Sequence, residues 1–252
     1  HRGDPVNEPG TVAPAPNATM MPGTPRPLLC ELHAHSTWSD GALDLRALVD
    51  LYGGAGFDVL AVTDHVHRSL GRGVTSESFD GYLAAVEAEA ERAAARYGLI
   101  VIPGLELTYD DADPRLAAHV LALGLRTFVG LGDGLDRALA EARSHGAALV
   151  GAHPYTLEAS AAAPRATARF AEEPEWGAQA VDRLEICNRH DFFDWVARAR
   201  LPVVANGDFH RPEHLATWKT LVPAEKREEA VVAYLRSPRP VSLTAFEAAR
   251  AA

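Results

Sequence analysis

The chain has 252 residues, 47% hydrophobic and 23% charged, a balance that permits a sizeable core and is not that of a disordered chain. A net charge of −10 with neutral histidines argues against sequence-independent nucleic-acid binding, yet leaves anionic substrates open, because bound divalent cations would reverse the local field. Two cysteines, Cys30 and Cys187, form no disulfide framework and fit a reducing compartment, so a cytoplasmic location is expected; no apolar run reaches membrane-spanning length and no signal peptide opens the chain.

Residues 1–27 carry seven prolines and little periodic hydrophobicity, and read as a disordered tail. The segment 1–19, ahead of Met20-Met21, reads as upstream or added sequence or a processed end, and is set aside from fold reasoning. Regular patterning starts at Leu28. A strand is predicted over 28–32 and a helix over 43–52, closed by Gly53-Gly54. A buried strand over 58–62 runs into Thr63-Asp64-His65, and a long helix over 79–97 stops at Gly98. A strand over 99–102 reaches Glu106 through the turn signal Pro103-Gly104. Next come a strand over 119–123, a helix over 135–144, and a strand over 147–150 that enters Gly151-Ala152-His153-Pro154. A helix is expected at about 163–170, a strand over 181–186, a helix over 191–199, and a strand over 201–205 ending in Asn206-Gly207-Asp208-Phe209-His210. A short extra strand over 218–222 and helices over 224–235 and within 242–251 complete the chain.

Strand and helix alternate seven times, which argues for parallel strands with crossover helices in one domain, 28–252. The strands are short apolar runs, as expected when both faces are buried. A barrel and an open doubly wound sheet both fit this periodicity, and both gather active sites at the C-terminal ends of the strands.

Ligand-type residues collect at those ends. His33 and His35, two apart, project to one side of a strand, and Asp208 and His210 repeat the spacing. Asp40, His65, Glu106 and His153 fall at similar places, while His119 stands at a strand start. Each alone has a plain structural reading: a backbone-bonded histidine, a helix cap, a turn. Asp64, pointing away from His65, reads as a cap or as support for a ligand. Together, nine such residues would be costly to bury unpaired, at about 1–3 kcal/mol each, and metal ions would give each of them a partner.

This ordered set, His33-x-His35, Ser39-Asp40-Gly41, Thr63-Asp64-His65, Gly104-x-Glu106, His119, His153-Pro154 and Gly207-Asp208-x-His210, resembles the PHP (polymerase and histidinol phosphatase) family. The resemblance covers residues 28 to about 222. It implies a distorted seven-stranded (β/α) barrel and metal-dependent phosphoester hydrolysis, with phosphomonoesters foremost. It also implies two or three divalent ions, Zn, Mn or Fe. By resemblance, His33, His35, Glu106 and Asp208 hold the first. Glu106 bridges to a second with His119 and His153, and Asp40, His65 and His210 hold a third. Glu106, Asp208 and His210 are the expected catalytic residues. Such ions lower the pKa of a bound water, and the hydroxide so supplied attacks phosphorus. Arg68, Arg189 and Arg211, each just beyond a strand end, are candidate contacts to a small phosphorylated substrate. Rival readings are an amidohydrolase-like C–N or C–O hydrolase and a non-catalytic, metal-stabilised module. The first commonly bridges its metals with a carboxylated lysine, and this chain has no lysine before Lys219.

Overall fold

The computed structural model describes residues 26–68, 71–160 and 167–247. The expected tail therefore lies outside the described residues up to position 25. Within them, strands β1 (Leu28–Glu31), β2 (Val59–Val62), β3 (His65–His67), β4 (Ile100–Tyr109), β5 (Ala118–Leu123), β6 (Ala148–Ala152), β7 (Arg183–Asn188), β8 (Asp191–Phe192), β9 (Val203–Asn206), β10 (Trp218–Val222) and β11 (Ser242–Ala245) form one sheet. Its order is β11-β10-β1-β2-β4-β5-β6-β7-β8, with β3 on β4 and β9 on β7. No helix of the described residues is long and apolar enough to cross a membrane.

The sheet curls. Beyond β9, Phe209 N donates to His33 O (3.0 Å), and His35 N donates to Phe209 O (2.8 Å), so the β9 side meets the end of β1. Packing agrees: Cys30, Val59, Ala61, Ile102, Leu121, Val150 and Val204, from six strands, share one apolar cluster with Val231 and Leu235 of helix Glu228–Leu235. A flat sheet could not bring those strands to one small core. A larger apolar cluster includes Leu48, Val49 and Tyr52 of helix Leu45–Gly54 and Tyr82 and Val86 of helix Phe79–Tyr97. The first helix starts where Asp44 accepts from Ala47 N (2.8 Å), and the second ends at Gly98 in the left-handed region (φ 63°).

Several expectations are corrected. The strands are not all parallel: β5 runs antiparallel to both β4 and β6, and no helix separates it from β4. Hydrophobic periodicity reports a strand but not its direction. β4 does not stop at 102 for a turn; it continues to Tyr109, so Glu106 lies inside a strand. Pro103 is tolerated because it pairs with Val62, the last residue of β2, where the ladder ends. The helix expected within 242–251 is instead strand β11, recruited by β10, and residues 248–252 lie outside the described set. Residues 191–192 form β8 ahead of a helix that begins at Asp194. Of the helix expected at 163–170, residues 163–166 lie outside the described residues; short helices occupy Leu157–Ser160, Arg169–Glu172 and Pro174–Ala180.

Asp58 fastens the edge of this scaffold. Its side chain, 1% exposed, accepts from both Arg26 nitrogens (2.9 and 2.8 Å), Leu29 N (2.9 Å) and Lys226 Nζ (2.8 Å). Burial works against its charge, but Lys226, the Leu29 amide and Arg26 outweigh it and hold the carboxyl below its ordinary range. Asp58→Asn is therefore expected to lower stability by about 1–2 kcal/mol at neutral pH, solvent screening the exposed cations. A carboxyl with a depressed folded pKa stabilises above its unfolded pKa and loses that contribution as pH falls through the folded value. The gap between wild type and variant should then close in acid. Urea denaturation at neutral pH and near pH ~3 checks both parts; an equal gap at both pH values contradicts the account.

Candidate metal centre

The rim is built from the ends of the strands. The chain leaves β1 through His33, Ala34 and His35, then folds a tight loop over 36–41. Asp64 shapes it: Ser36 N, Ser36 Oγ and Ser39 Oγ donate to its carboxylate at 2.9, 2.7 and 2.6 Å. The supporting role expected for Asp64 is thus that of a loop anchor, and it places Asp40. Gly41 is required, since a Cβ there would collide with the His35 carbonyl. The antiparallel β5 explains His119. A reversed strand begins at the rim where its neighbours end, and His119 pairs with Thr108 on one side and Ala152 on the other. Three non-glycine residues of this region take positive φ: His153 (29°), Arg189 (52°) and Asp208 (44°). Such backbone is rarely adopted by L residues and clusters at functional sites.

The nine side chains converge. Glu106, fully buried on β4, divides its oxygens. Oε1 faces His119 Nδ1 (3.1 Å) and His153 Nε2 (3.2 Å); Oε2 faces His33 Nε2 and His35 Nε2 (both 3.3 Å) and His65 Nδ1 (3.0 Å). Asp208 Oδ1 lies 3.4 Å from both His33 Nε2 and His35 Nε2. Asp40 Oδ1 lies 3.3 Å from His65 Nε2 and 3.2 Å from His210 Nε2. Three groups bring their donor atoms within 4.8 Å of one another: His35, Asp40, His65 and His210; His33, His35 and Asp208; His33, Glu106 and His153. His35 thus joins Asp40, His65 and His210, and His33, expected beside Glu106, also joins His153. His119 touches Glu106 but stands outside these groups, its Nε2 turned to Asp110 (2.9 Å).

The electrostatics call for positive charge. Burial alone would raise the Glu106 and Asp208 carboxyls, yet the surrounding histidines, His33 and His65 about Glu106 and His33 and His210 about Asp208, hold both well below the usual range. Burial likewise opposes charge on His65 and His210. Glu106 and Asp40 nevertheless raise His65 to about 10, and Asp208 and Asp40 raise His210 to about 9. His35 is the exception, lowered by burial and by His65. Among the described residues, four side-chain atoms are buried without a hydrogen-bond partner, and three of them, His35 Nε2, His65 Nε2 and Asp208 Oδ1, belong to this cluster; the fourth is Arg169 Nε. Buried imidazole nitrogens and carboxylate oxygens facing one another are the donor set that suits divalent transition metals.

A cavity of about 280 Å³ opens over the cluster, lined by Asp40, His65, Glu106, His119, His153, Asp208 and His210 together with Tyr155, Asn188, Arg189 and Asp191. Of the three expected arginines only Arg189 lines it. Its guanidinium reaches Asp208 Oδ2 (3.0 Å) and His210 Nδ1 (3.0 Å). Arg68 turns to Tyr109 Oη (3.0 Å) and Arg211 to His214 (3.3 Å). Sequence reasoning missed Tyr155, whose hydroxyl donates to Asp191 (2.6 Å), and Glu185 beneath His33. A charge inside the apolar run Leu184-Glu185-Ile186 was the available sign of the latter.

No family model matches the sequence. An 87-residue stretch is 33% identical to DNA polymerase/3'-5' exonuclease PolX of Bacillus subtilis, covering 32% of this chain and 15% of that protein. Among solved structures, a two-domain protein of Bacteroides vulgatus, containing a predicted PHP-like metal-dependent phosphoesterase, superposes with a TM-score of 0.64 at 21% identity. That match covers 86% of this chain and 64% of the other. An amidohydrolase of Chromobacterium violaceum with bound sulfate gives 0.49 at 18% identity, over 73% of this chain and 88% of its own. The chain therefore spans about two thirds of the Bacteroides protein and a small part of the polymerase.

Proposed function

We propose that this chain, whose fold is that of the PHP-like proteins, is a metal-dependent hydrolase of small phosphoesters, phosphomonoesters foremost. In this reading the curled sheet is a distorted (β/α)7 barrel, residues 28–252 are its single domain, and residues 1–27 are a tail. The observation that carries the proposal is the gathering of three buried atoms without a hydrogen-bond partner: His35 Nε2 beside Glu106 (3.3 Å), His65 Nε2 beside Asp40 (3.3 Å), and Asp208 Oδ1 beside His33 Nε2 and His35 Nε2 (both 3.4 Å). His33, His35, Glu106 and Asp208 would hold one ion, Glu106, His119 and His153 a second, and Asp40, His65 and His210, with His35 beside them, a third. Zn, Mn or Fe bound there would supply Lewis acidity and acidify a coordinated water.

The chain's own residues do the remaining work. Glu106, with one oxygen toward each side, ties the two halves of the cluster together. Arg189 brings a fixed cation to the cavity wall, where a phosphate oxygen would enter. It also clasps Asp208 Oδ2, leaving only Oδ1 to face the cluster. The cavity has room for a small phosphoester group beside the cluster. The amidohydrolase-like reading gains nothing from Lys219, which is buried against Glu31 and Thr217 away from the cavity lining.

The test is elemental analysis of the purified protein, chelation, reloading with Zn, Mn or Fe, and a panel of phosphomonoesters and diesters. Reloading should restore turnover. It should also raise thermal stability by RT ln(1 + [M]/Kd), about 2.7 kcal/mol at a hundredfold excess over Kd. Absence of bound metal together with absence of phosphoester turnover for every ion sinks the proposal.

A further inference from the structure

Glu185 has no partner role in the reading above, yet it touches the cluster at two points. It is fully buried on β7. Four groups donate to it. Oε1 accepts from His33 Nδ1 (2.9 Å) and Asn206 Nδ2 (2.9 Å); Oε2 accepts from the His153 backbone N (2.7 Å) and Asn188 Nδ2 (2.7 Å). A carboxylate surrounded only by donors is satisfied by its charged form alone. The hydrogen bond to His33 fixes which ring nitrogen faces the centre: with Nδ1–H committed to Glu185, Nε2 is the nitrogen turned toward Glu106 (3.3 Å) and Asp208 (3.4 Å) and the one left to ligate an ion. The bond to His153 N holds a residue whose φ of 29° an unassisted chain would avoid.

From this geometry we infer that Glu185 is a positioning residue for the metal centre: one carboxylate sets both the tautomer of His33 and the backbone placement of His153. The inference rests on the metal-centre reading. Its consequence is that metal affinity depends on a residue that touches neither ion nor substrate. Glu185→Gln exposes this. Whichever way the amide turns, its NH2 faces two donors. Asn206 cannot turn to relieve it, because its Oδ1 already accepts from Leu32 N (3.3 Å). The variant amide either meets His33 Nδ1 and drives the proton to Nε2, or meets the His153 amide and releases that segment.

The experiment has two arms. In chelator competition, Glu185→Gln is expected to bind zinc or manganese about 10–100-fold more weakly than wild type. In long-range 1H–15N spectra of zinc-loaded wild type, which needs no variant to fold, His33 should keep its proton on Nδ1 with Nε2 shifted by the metal. A purely structural Glu185 would not dictate that signature. Zinc affinity within twofold of wild type in the variant, or a His33 that is bare or metal-bound at Nδ1, overturns the inference while leaving the metal centre standing. A wild type that takes up no divalent ion overturns both.

Discussion

Asp208→Asn is expected to reduce metal-supported phosphoester turnover by about 10²–10³-fold or more, a loss of the size seen when one charge-stabilising group leaves an active site, with the fold retained. Asparagine suits this test better than alanine. Position 208 sits at φ 44°, a conformation that asparagine tolerates and alanine does not. The amide can also keep one contact to Arg189, which holds Oδ2 at 3.0 Å. What changes is the atom facing the cluster. Oδ1 lies 3.4 Å from His33 Nε2 and His35 Nε2 and has no hydrogen-bond partner. An NH2 in its place would offer a donor, or a neutral oxygen, where anionic charge now attracts a cation. Steady-state kinetics beside metal analysis, with circular dichroism as the check on folding, decides the matter. A variant that binds metal like wild type and turns over within tenfold of it would remove Asp208 from the centre.

Lys219→Met is expected to lower unfolding free energy by about 3–5 kcal/mol, the range for stripping one partner from a buried ion pair. Lys219 and Glu31 are both fully buried and lie 2.6 Å apart. Glu31 also accepts from Tyr52 Oη (3.1 Å), Gly207 N (3.0 Å) and His33 N (3.2 Å). Those bonds reach the backbone on both sides of the site, at His33 and at the start of the Gly207-Asp208 turn. A Cβ at Gly207 would fall on the Lys219 ammonium, the Glu31 carboxylate and the His214 carbonyl, so a side chain there would break into this pair. Methionine fills much of the lysine volume but leaves the carboxylate without its counter-charge. Adding Glu31→Gln should recover part of the loss, because the amide oxygen still accepts while the orphaned charge is gone. Urea denaturation of wild type, both single variants and the double variant measures the coupling; additive losses would show that the pair is not a unit.

Much of the candidate site was legible because its chemistry is local. His33-x-His35 and Asp208-x-His210 place two ligand types on one side of the chain, and Glu106 and His153 follow apolar runs that read as buried strands. His119 was harder, since its position at a strand start makes sense only once β5 is seen to run backwards. The long helix Phe79–Tyr97 was legible to the residue because its boundaries are local, a polar lead-in and a glycine stop. The ten-residue β4 was not, because Pro103-Gly104 carries a turn signature that pairing with β2 and β5 overrides.

By itself, then, the sequence determined which residues can ligate, where apolar runs end, and that a net negative charge leaves anionic substrates open where bound cations reverse the local field. Residue type and short-range periodicity encode all of these. Only the tertiary structure decided strand direction, the sharing of His33 and His35 between donor groups, Arg189 as the arginine of the cavity wall, and the supports under the site. Lys219 meets Glu31 across 188 residues, and Glu185 meets His33 across 152. Contacts at such separation are fixed by how the sheet curls, which depends on the packing of every strand at once and leaves no mark on any single stretch of chain.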